Sequence, residues 1–235
     1  MTATSLLSLT NLGLFCAEGD FYIDPWRPVP RALVTHAHAD HLTRGSSSYL
    51  IAAEGEHVTR ARLDEDALIQ TLSYGKTLMI NGVRVSFHPA GHILGSAQIR
   101  LEQGGQTWVV SGDYKIEGDA TCTSFEPVKC HHFITEATFG LPIYRWRPQQ
   151  EIFKDLNAWW QANANAGQAS IVYGYALGKA QRVLAGLDAR IGPIFAHGAV
   201  ERINQAYLAS GVVLPKTTYV GAAVLNMKLG GEGIT

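Results

Sequence analysis

The sequence predicts an α/β protein whose two parts differ in the order of their elements. Residues 1–140 favour short strands joined by tight turns, whereas residues after about 148 alternate helical and strand patterns. A dense run of metal-binding side chains, His36-Ala37-His38-Ala39-Asp40-His41, follows the apolar residues 32–34. Because layered α/β folds usually place active sites at strand ends, these observations together predict an α/β scaffold with a metal site.

Alternating apolar and polar residues predict paired strands through most of the first part. The clearest signals are the turns Asn81-Gly82 and Gly104-Gly105, which are typical of tight hairpins. The predicted hairpin strands cover residues 5–9 with 12–16, 77–80 with 83–87, and 97–101 with 107–110. Helix is scarce in this part, and residues 57–63 are the best candidate.

The helical pattern begins at Pro148. Proline is well tolerated in the first turn of a helix, because the N–H that it lacks would have no partner within the helix there. Ile152, Leu156, Trp159 and Trp160 follow at helical spacing, which predicts that at least one tryptophan lies in the core. The remaining predicted elements are a strand at 171–173, a helix at 176–190, a strand at 194–196 and a helix at 200–209. This alternation predicts a parallel sheet, and residues 229–235 predict an unfinished end of the second part.

Composition allows an enzyme without requiring one. The net charge is −1, but residues 1–56 carry −3 and residues 179–235 carry +3, a weak indication of polyanion binding that an ordinary solvated surface also explains. Three cysteines without CxxC spacing favour a reducing compartment. The apolar N-terminus lacks a basic segment, and no run approaches the ~20 apolar residues of a membrane span. We therefore expect a soluble cytoplasmic protein with no membrane partner.

Two later residues belong with the histidine run. His92 lies between glycines after residues 83–87, and Asp113 follows residues 108–110. Because strand ends of one sheet converge on one edge, we expect these side chains to meet the histidine run there and form a site for two divalent ions. Imidazole and carboxylate ligands suit Zn²⁺ or Mn²⁺, and the lack of a nearby thiolate argues against a closed structural zinc site.

Several motifs resemble one known superfamily. The histidine run, with Asp24, His92 and Asp113 in this order, resembles the metallo-β-lactamase superfamily. Thr135-Glu136-Ala137-Thr138-Phe139-Gly140 and Tyr173-Gly174-Tyr175-Ala176-Leu177-Gly178-Lys179-Ala180-Gln181 resemble the β-CASP region of its nucleases. The phrase Gly19-Asp20-Phe21-Tyr22-Ile23-Asp24-Pro25-Trp26 is most similar to bacterial ligase-associated DNA exonucleases.

The resemblance implies an αββα metallo-β-lactamase sandwich over residues 1–145 and an α/β β-CASP cap over residues 146–235. It also implies a chain that is C-terminally truncated relative to the family, because two later histidine motifs do not occur before Thr235.

The resemblance also assigns roles to individual residues. One ion would be held by His36, His38 and His92, and the other by Asp40, His41 and the bridging Asp113. Asp24 would support the histidine loop from behind the ligands, and Asp40 and Glu136 would act in catalysis. The residues expected to contact nucleic acid are Lys179, Arg182, Arg145 and Arg147.

The function implied is metal-dependent hydrolysis of phosphodiester bonds in DNA, as an exonuclease in DNA repair, with a DNA ligase or helicase as a partner of such enzymes. An RNA-processing nuclease of the same superfamily is the first alternative. An inactive fragment that binds nucleic acid also stays open, because the later histidine motifs are missing. A small-molecule hydrolase is disfavoured, because such enzymes need no cap-like segment over an extended polyanion.

Overall fold

Two units make up residues 5–221, the part of the chain that the structure, a computed structural model, describes. The first unit ends at Thr138 and the second begins at Phe139, whereas the boundary predicted from the sequence follows residue 145. The assignment of these units as a metallo-β-lactamase-like core and a β-CASP-like cap stays a prediction. The predicted unfinished end at 229–235 lies outside the described residues.

The first unit contains a six-stranded sheet whose strands follow chain order. These strands are β1 (Ser8–Thr10), β2 (Gly13–Cys16), β3 (Phe21–Ile23), β4 (Ala32–Leu33), β5 (Tyr49–Ala52) and β6 (Ile69–Leu72). β1 to β3 pair antiparallel, and β3 to β6 pair parallel. The first hairpin strand starts later than the predicted residue 5, because Leu6 and Leu7 are buried in the core instead of joining the ladder.

A second sheet of five strands has the order β11-β10-β9-β8-β7. Its strands are β7 (Thr77–Ile80), β8 (Val83–Pro89), β9 (Ala97–Gln103), β10 (Gln106–Val110) and β11 (His132–Ile134). Both predicted hairpins are confirmed, and Asn81 and Gly82 adopt the positive φ angles (47° and 86°) that a tight two-residue hairpin requires. β11 pairs parallel to β10 and therefore places its carboxyl end at the same edge.

The two sheets pack face to face around one hydrophobic core. Val85 and Phe87 from β8 are fully buried in the same cluster as Phe21 and Leu33 from the first sheet. Burial of such side chains contributes roughly 1.5–3 kcal/mol each, so the core fixes where the strand ends lie. The α/β fold predicted from the sequence is confirmed, although the predicted helix at 57–63 is limited to α1 (Glu56–Arg60).

The second unit alternates helices with short strands. Its elements are α2 (Gln149–Asn165), α3 (Lys179–Ala185), β12 (Ile194–Ala196), α4 (Gly198–Ala209) and β13 (Thr217–Tyr219). β12 and β13 pair parallel, as the alternation predicts. The helix predicted at 176–190 is shorter because Gly178, with a φ of 85°, ends the preceding turn and Gly186 follows its last residue.

Two predictions for the second unit are wrong. Residues 171–173 form no strand, because no described segment pairs with them, and the Tyr173 side chain is 91% exposed. The periodicity of α2 correctly predicts a helix, but none of its residues is buried, so neither Trp159 nor Trp160 is a core residue in the described part of the chain.

Among the helices of residues 5–221, none combines the length and the apolar character that crossing a lipid bilayer requires.

We predict that Gly95→Ala destabilises the first unit far more than Gly105→Ala. Both glycines have a φ of 75°, so each alanine meets left-handed strain of about 1–2 kcal/mol. A Cβ at Gly95 would also overlap the backbone of Gly55, whereas a Cβ at Gly105 meets open space. Overpacking should add about 1–3 kcal/mol at Gly95 alone. Urea unfolding of both variants measures the difference, and equal free energies of unfolding would contradict the close packing.

Candidate metal centre

Ends of strands from both sheets meet at one edge of the sandwich. β4 leads into Thr35 and the histidine run, β8 leads into the loop that holds His92, and β10 leads into Asp113. The loops are joined by backbone hydrogen bonds, in which Ala97 N–H donates to Thr35 C=O at 2.8 Å and Lys115 N–H donates to Ala90 C=O at 2.9 Å. The strand ends converge as the sequence predicts, but the prediction that they belong to one sheet is wrong, because β4 lies in the first sheet and β8 and β10 lie in the second.

Four of the predicted ligands form a tight group. One ligand atom from each of His36, His38, His92 and Asp113 lies within 4.8 Å of the others. His38 Nδ1 is 3.0 Å from His36 Nε2 and 3.2 Å from His92 Nε2. Asp113 Oδ2 is 3.8 Å from His36 Nε2 and 3.6 Å from His92 Nε2. Ligand atoms around one tetrahedral zinc ion are about 3.4 Å apart, so the spacing fits a shared cation.

Hydrogen bonds fix which nitrogen of His36 faces the group. The Thr35 hydroxyl donates to Asp24 Oδ2 at 2.6 Å, so its oxygen is left to accept the Nδ1–H of His36 at 3.1 Å. The His36 Nε2 lone pair then points toward His38 and Asp113. Burial, reinforced by the neighbouring histidines, lowers the pKa of His36 well below its ordinary value. His36 is therefore a neutral imidazole with the free lone pair that a metal ligand needs.

His41 lies beside this group and faces the other oxygen of Asp113. Its Nδ1 is 2.7 Å from Asp24 Oδ2, and its Nε2 is 3.4 Å from Asp113 Oδ1 and 3.7 Å from Asp40 Oδ2. Burial lowers the pKa of His41, but hydrogen bonds and charges from Asp113 and Asp24 outweigh it and raise the pKa to about 10. Hydrogen bonding to His41 outweighs burial in lowering the pKa of Asp113. The two Asp113 oxygens thus face two different sets of histidines.

Asp24 combines an unusual backbone conformation with a carboxylate that has several hydrogen-bond partners. Its φ of 43° is unusual for a residue other than glycine. The carboxylate accepts Thr35 N–H at 2.8 Å in addition to the contacts with the Thr35 hydroxyl and His41. The Asp24 carboxylate therefore contacts both ends of the histidine run without belonging to the group of four, and its role as a support behind the ligands stays a prediction.

Ser96 and Tyr74 hold the His92 loop, although the sequence reasoning singled out neither. Ser96 Oγ accepts the backbone N–H groups of His92 at 3.0 Å and Ile93 at 3.2 Å, and the Tyr74 hydroxyl donates to Ser96 C=O at 2.8 Å. The sequence does not single out Thr35 either, because an isolated hydroxyl group belongs to no recognisable motif. Its position directly before the histidine run is the one available signal.

The two residues predicted to act in catalysis lie at the rim of the site. The Asp40 side chain is 79% exposed, and Glu136 follows β11, where its Oε2 accepts Thr138 N–H at 2.7 Å. Both residues line one cavity with Asp24 and His41. The structure therefore brings Asp40 and Glu136 to the same side of the candidate metal centre.

The four basic residues predicted to contact nucleic acid belong to the second unit. Lys179 begins α3 and lies over the Tyr175 ring at 5.2 Å, and Arg182 lies in the same helix. Arg145 is exposed, whereas Arg147 pairs with Asp155 at 2.9 Å and with Glu151 at 3.4 Å. These carboxylates already compensate the Arg147 charge, which argues against a phosphate contact at this residue.

Known proteins similar to this chain include enzymes that act on nucleic acids. No family model matches the chain. It is 31% identical over 208 residues to the Probable DNA ligase of Opitutus terrae, covering 86% of this chain and 20% of that protein. It is 30% identical over 186 residues to Endoribonuclease ysh-1 of Neurospora crassa, covering 77% and 21%. The chain thus spans about a fifth of the length of these curated relatives.

A solved structure supports the fold. A protein of unknown function from Enterococcus faecalis V583 superimposes with a TM-score of 0.57 at 12% sequence identity, covering 80% of this chain and 51% of that one. At this identity the likeness concerns the α/β fold alone.

We predict that Thr35→Val weakens metal binding about 10–100-fold. Valine keeps the shape of threonine but cannot donate to Asp24 or accept from His36, so His36 loses the bond that fixes its tautomer. Competition with a chromogenic chelator measures the affinity. Thr35→Ser is the matched control and should bind metal like the wild type. Equal affinity of Thr35→Val and Thr35→Ser would contradict the role of the hydroxyl.

We predict that metal binding releases about one proton from His41. In the metal-free protein its pKa is raised to about 10, so the charged pair with Asp24 and Asp113 stabilises the fold fully below pH 6.5 and is lost as the pH rises through about 10. A metal held by Nε2, as the predicted ligand set implies, would displace that proton, so metal affinity should rise with pH up to about 10. Calorimetry at pH 8 in buffers of different ionisation enthalpy counts the protons. His41→Ala should release about one fewer, and an unchanged count would refute the assignment.

Proposed function

We propose that this chain contains the metal centre of a nuclease, an enzyme that hydrolyses phosphodiester bonds in nucleic acid, with DNA as the substrate and exonucleolytic repair as the context. The convergence of His36, His38, His92 and Asp113 within 4.8 Å carries the proposal. The relatives support it, because their names describe a DNA ligase and endoribonucleases. A metal-dependent nuclease accounts both for the cluster of candidate ligands and for the names of the relatives.

The side chains fit divalent cations. Several imidazole nitrogens and a carboxylate face one another within hydrogen-bonding distance or slightly beyond, an arrangement whose lone pairs can be directed at one shared cation. One ion would be held by His36, His38 and His92 and a second by Asp40, His41 and Asp113, whose two oxygens face the two sets of histidines. Zn²⁺ and Mn²⁺ both suit this set. Such ions supply Lewis-acid polarisation of the phosphodiester and activation of a water nucleophile.

The residues of the chain contribute orientation and proton transfer. Hydrolysis joins a water oxygen to phosphorus and breaks the bond to the leaving oxygen, which then needs a proton. Asp40 and Glu136 lie on the same cavity as His41, so we assign them to the protons that leave the water and reach the leaving oxygen. Asp24 and Thr35 hold the imidazoles in place throughout.

RNA is the second candidate substrate, because several relatives are named endoribonucleases. The described site contains no feature that requires or rejects a 2′-hydroxyl group, which is what distinguishes the two polymers.

The hypothesis of a DNA substrate is supported by the similar segment within a protein named Probable DNA ligase, and we propose a ligase or a helicase as the functional partner. Three cysteines without a disulfide among the described residues agree with the proposed cytoplasmic location.

We predict that the chain loaded with Mn²⁺ or Zn²⁺ cleaves single-stranded DNA. His38→Ala should reduce this cleavage to background, because the substitution removes the nitrogen that lies next to both His36 and His92. Cleavage of labelled DNA and RNA oligonucleotides of one sequence is measured together with metal content by mass spectrometry. His88→Ala is the control, since His88 lies outside the ligand group and contacts Ser86 and Glu126.

Three outcomes would overturn parts of this proposal. Equal or faster RNA cleavage would replace DNA as the substrate. Cleavage by His38→Ala at the wild-type rate would place the activity elsewhere. Fewer than one metal ion per chain would favour an inactive nucleic-acid-binding fragment.

A further inference from the structure

The cavity beside the candidate metal ligands is lined by polar and apolar residues, and the proposed hydrolysis explains only the polar ones. The cavity has a volume of about 270 Å³. Asp24, Asp40, His41 and Glu136 line the polar side, and all of them have a role at the metal centre. We use the term apolar side for the apolar lining residues, which are Leu9, Leu14, Ile23, Trp26, Val110 and Ile134.

Trp26 is the residue of this apolar side that is both aromatic and largely exposed. Its side chain is 59% exposed, while its backbone is fixed on both sides. Trp26 N–H donates to Leu12 C=O at 2.9 Å, and the preceding Pro25 C=O accepts the Thr43 hydroxyl. Gly13 permits this close approach, because a Cβ there would lie 3.1 Å from Pro25 Cα. The indole is therefore an exposed aromatic surface on a fixed backbone.

The charges of the cavity restrict what can occupy it. Three carboxylates outnumber the single imidazole of His41 on the polar side, so an anion is repelled until cations bind the adjacent ligands, whereas the apolar side favours a flat, poorly charged group at any metal content. A suitable ligand therefore joins an anionic group to a flat ring over a short distance. A nucleotide has this form, with a phosphate for the metal centre and a base for the indole.

We propose that Trp26 and the apolar side of this cavity form a stacking subsite for one nucleobase next to the cleaved phosphodiester. The inference rests on the proposed nuclease function and specifies its substrate as an unpaired strand. The cavity is slightly smaller than the about 300–1,000 Å³ of sites for drug-sized ligands, which suits a single nucleotide. Stacking on an aromatic side chain tolerates any base, so the subsite selects single strands without selecting sequence.

The test compares oligonucleotides with and without the stacked base. Single-stranded oligonucleotides carry one abasic residue, stepped along the chain, and their kcat/KM values are measured with the Mn²⁺-loaded protein. Wild-type protein should lose about tenfold in kcat/KM when the abasic residue is next to the cut, mainly through KM. Trp26→Ala should show the same loss on the intact oligonucleotide and no further loss on the abasic one. Trp26→Phe should keep most of the preference for the base.

Met79→Ala is the matched control, because Met79 is 58% exposed and lies in β7, outside this cavity. It should retain both the activity and the base preference. Thermal unfolding and metal content of each variant separate a loss of stacking from a loss of structure. Binding of a phosphorothioate oligonucleotide, followed by fluorescence anisotropy, supplies a measurement that does not depend on cleavage.

The outcomes separate the subsite from the nuclease function. Cleavage with an unchanged base preference in Trp26→Ala overturns the subsite and leaves the nuclease function in place. Binding that depends on Trp26 without any cleavage overturns the nuclease function and leaves Trp26 as a base-stacking residue of a nucleic-acid-binding site. Absence of both binding and cleavage by the wild type overturns both.

Discussion

The close approach of several imidazole nitrogens and one carboxylate is the constraint on which the first unit depends. Groups that are brought together in this way lose hydration, which is unfavourable unless hydrogen bonds or a cation compensate it. The surrounding structure must therefore hold them in place. It does so with Thr35 and Asp24 beneath the histidine run and with Ser96 beneath His92. The rigidity of the site is thus a property of its supports more than of its ligands.

The ligands come from both sheets, which makes the sheet interface part of the site. His36 and His38 follow β4 of the first sheet, whereas His92 and Asp113 follow β8 and β10 of the second. The distances between them are set by the buried core and by the hydrogen bond from Ala97 to Thr35. A cation held by all four would join the two sheets, so its binding energy would add to the stability of the sandwich.

Local chemistry explains which features the sequence could predict. The Asn81-Gly82 turn and the crowded histidine run act over a few residues, so their structure follows from those residues alone. Ile171 and Val172 have the composition of a strand, but a strand needs a partner, and none of the described segments pairs with them. The roles of Thr35 and Trp26 depend on residues far along the chain. A hydroxyl group or an indole takes part in a site only after the fold chooses its neighbours.

The electrostatics of the cavity divide the proposed recognition of nucleic acid into two steps. Contact with the phosphate requires cations, since Asp24, Asp40 and Glu136 would otherwise repel it. Contact of a base with Trp26 involves no net charge and does not depend on the metal. The same cations that support hydrolysis would therefore decide whether the phosphate next to a stacked base is held at the centre or repelled from it. Productive binding is thus confined to the protein form that can also carry out the reaction.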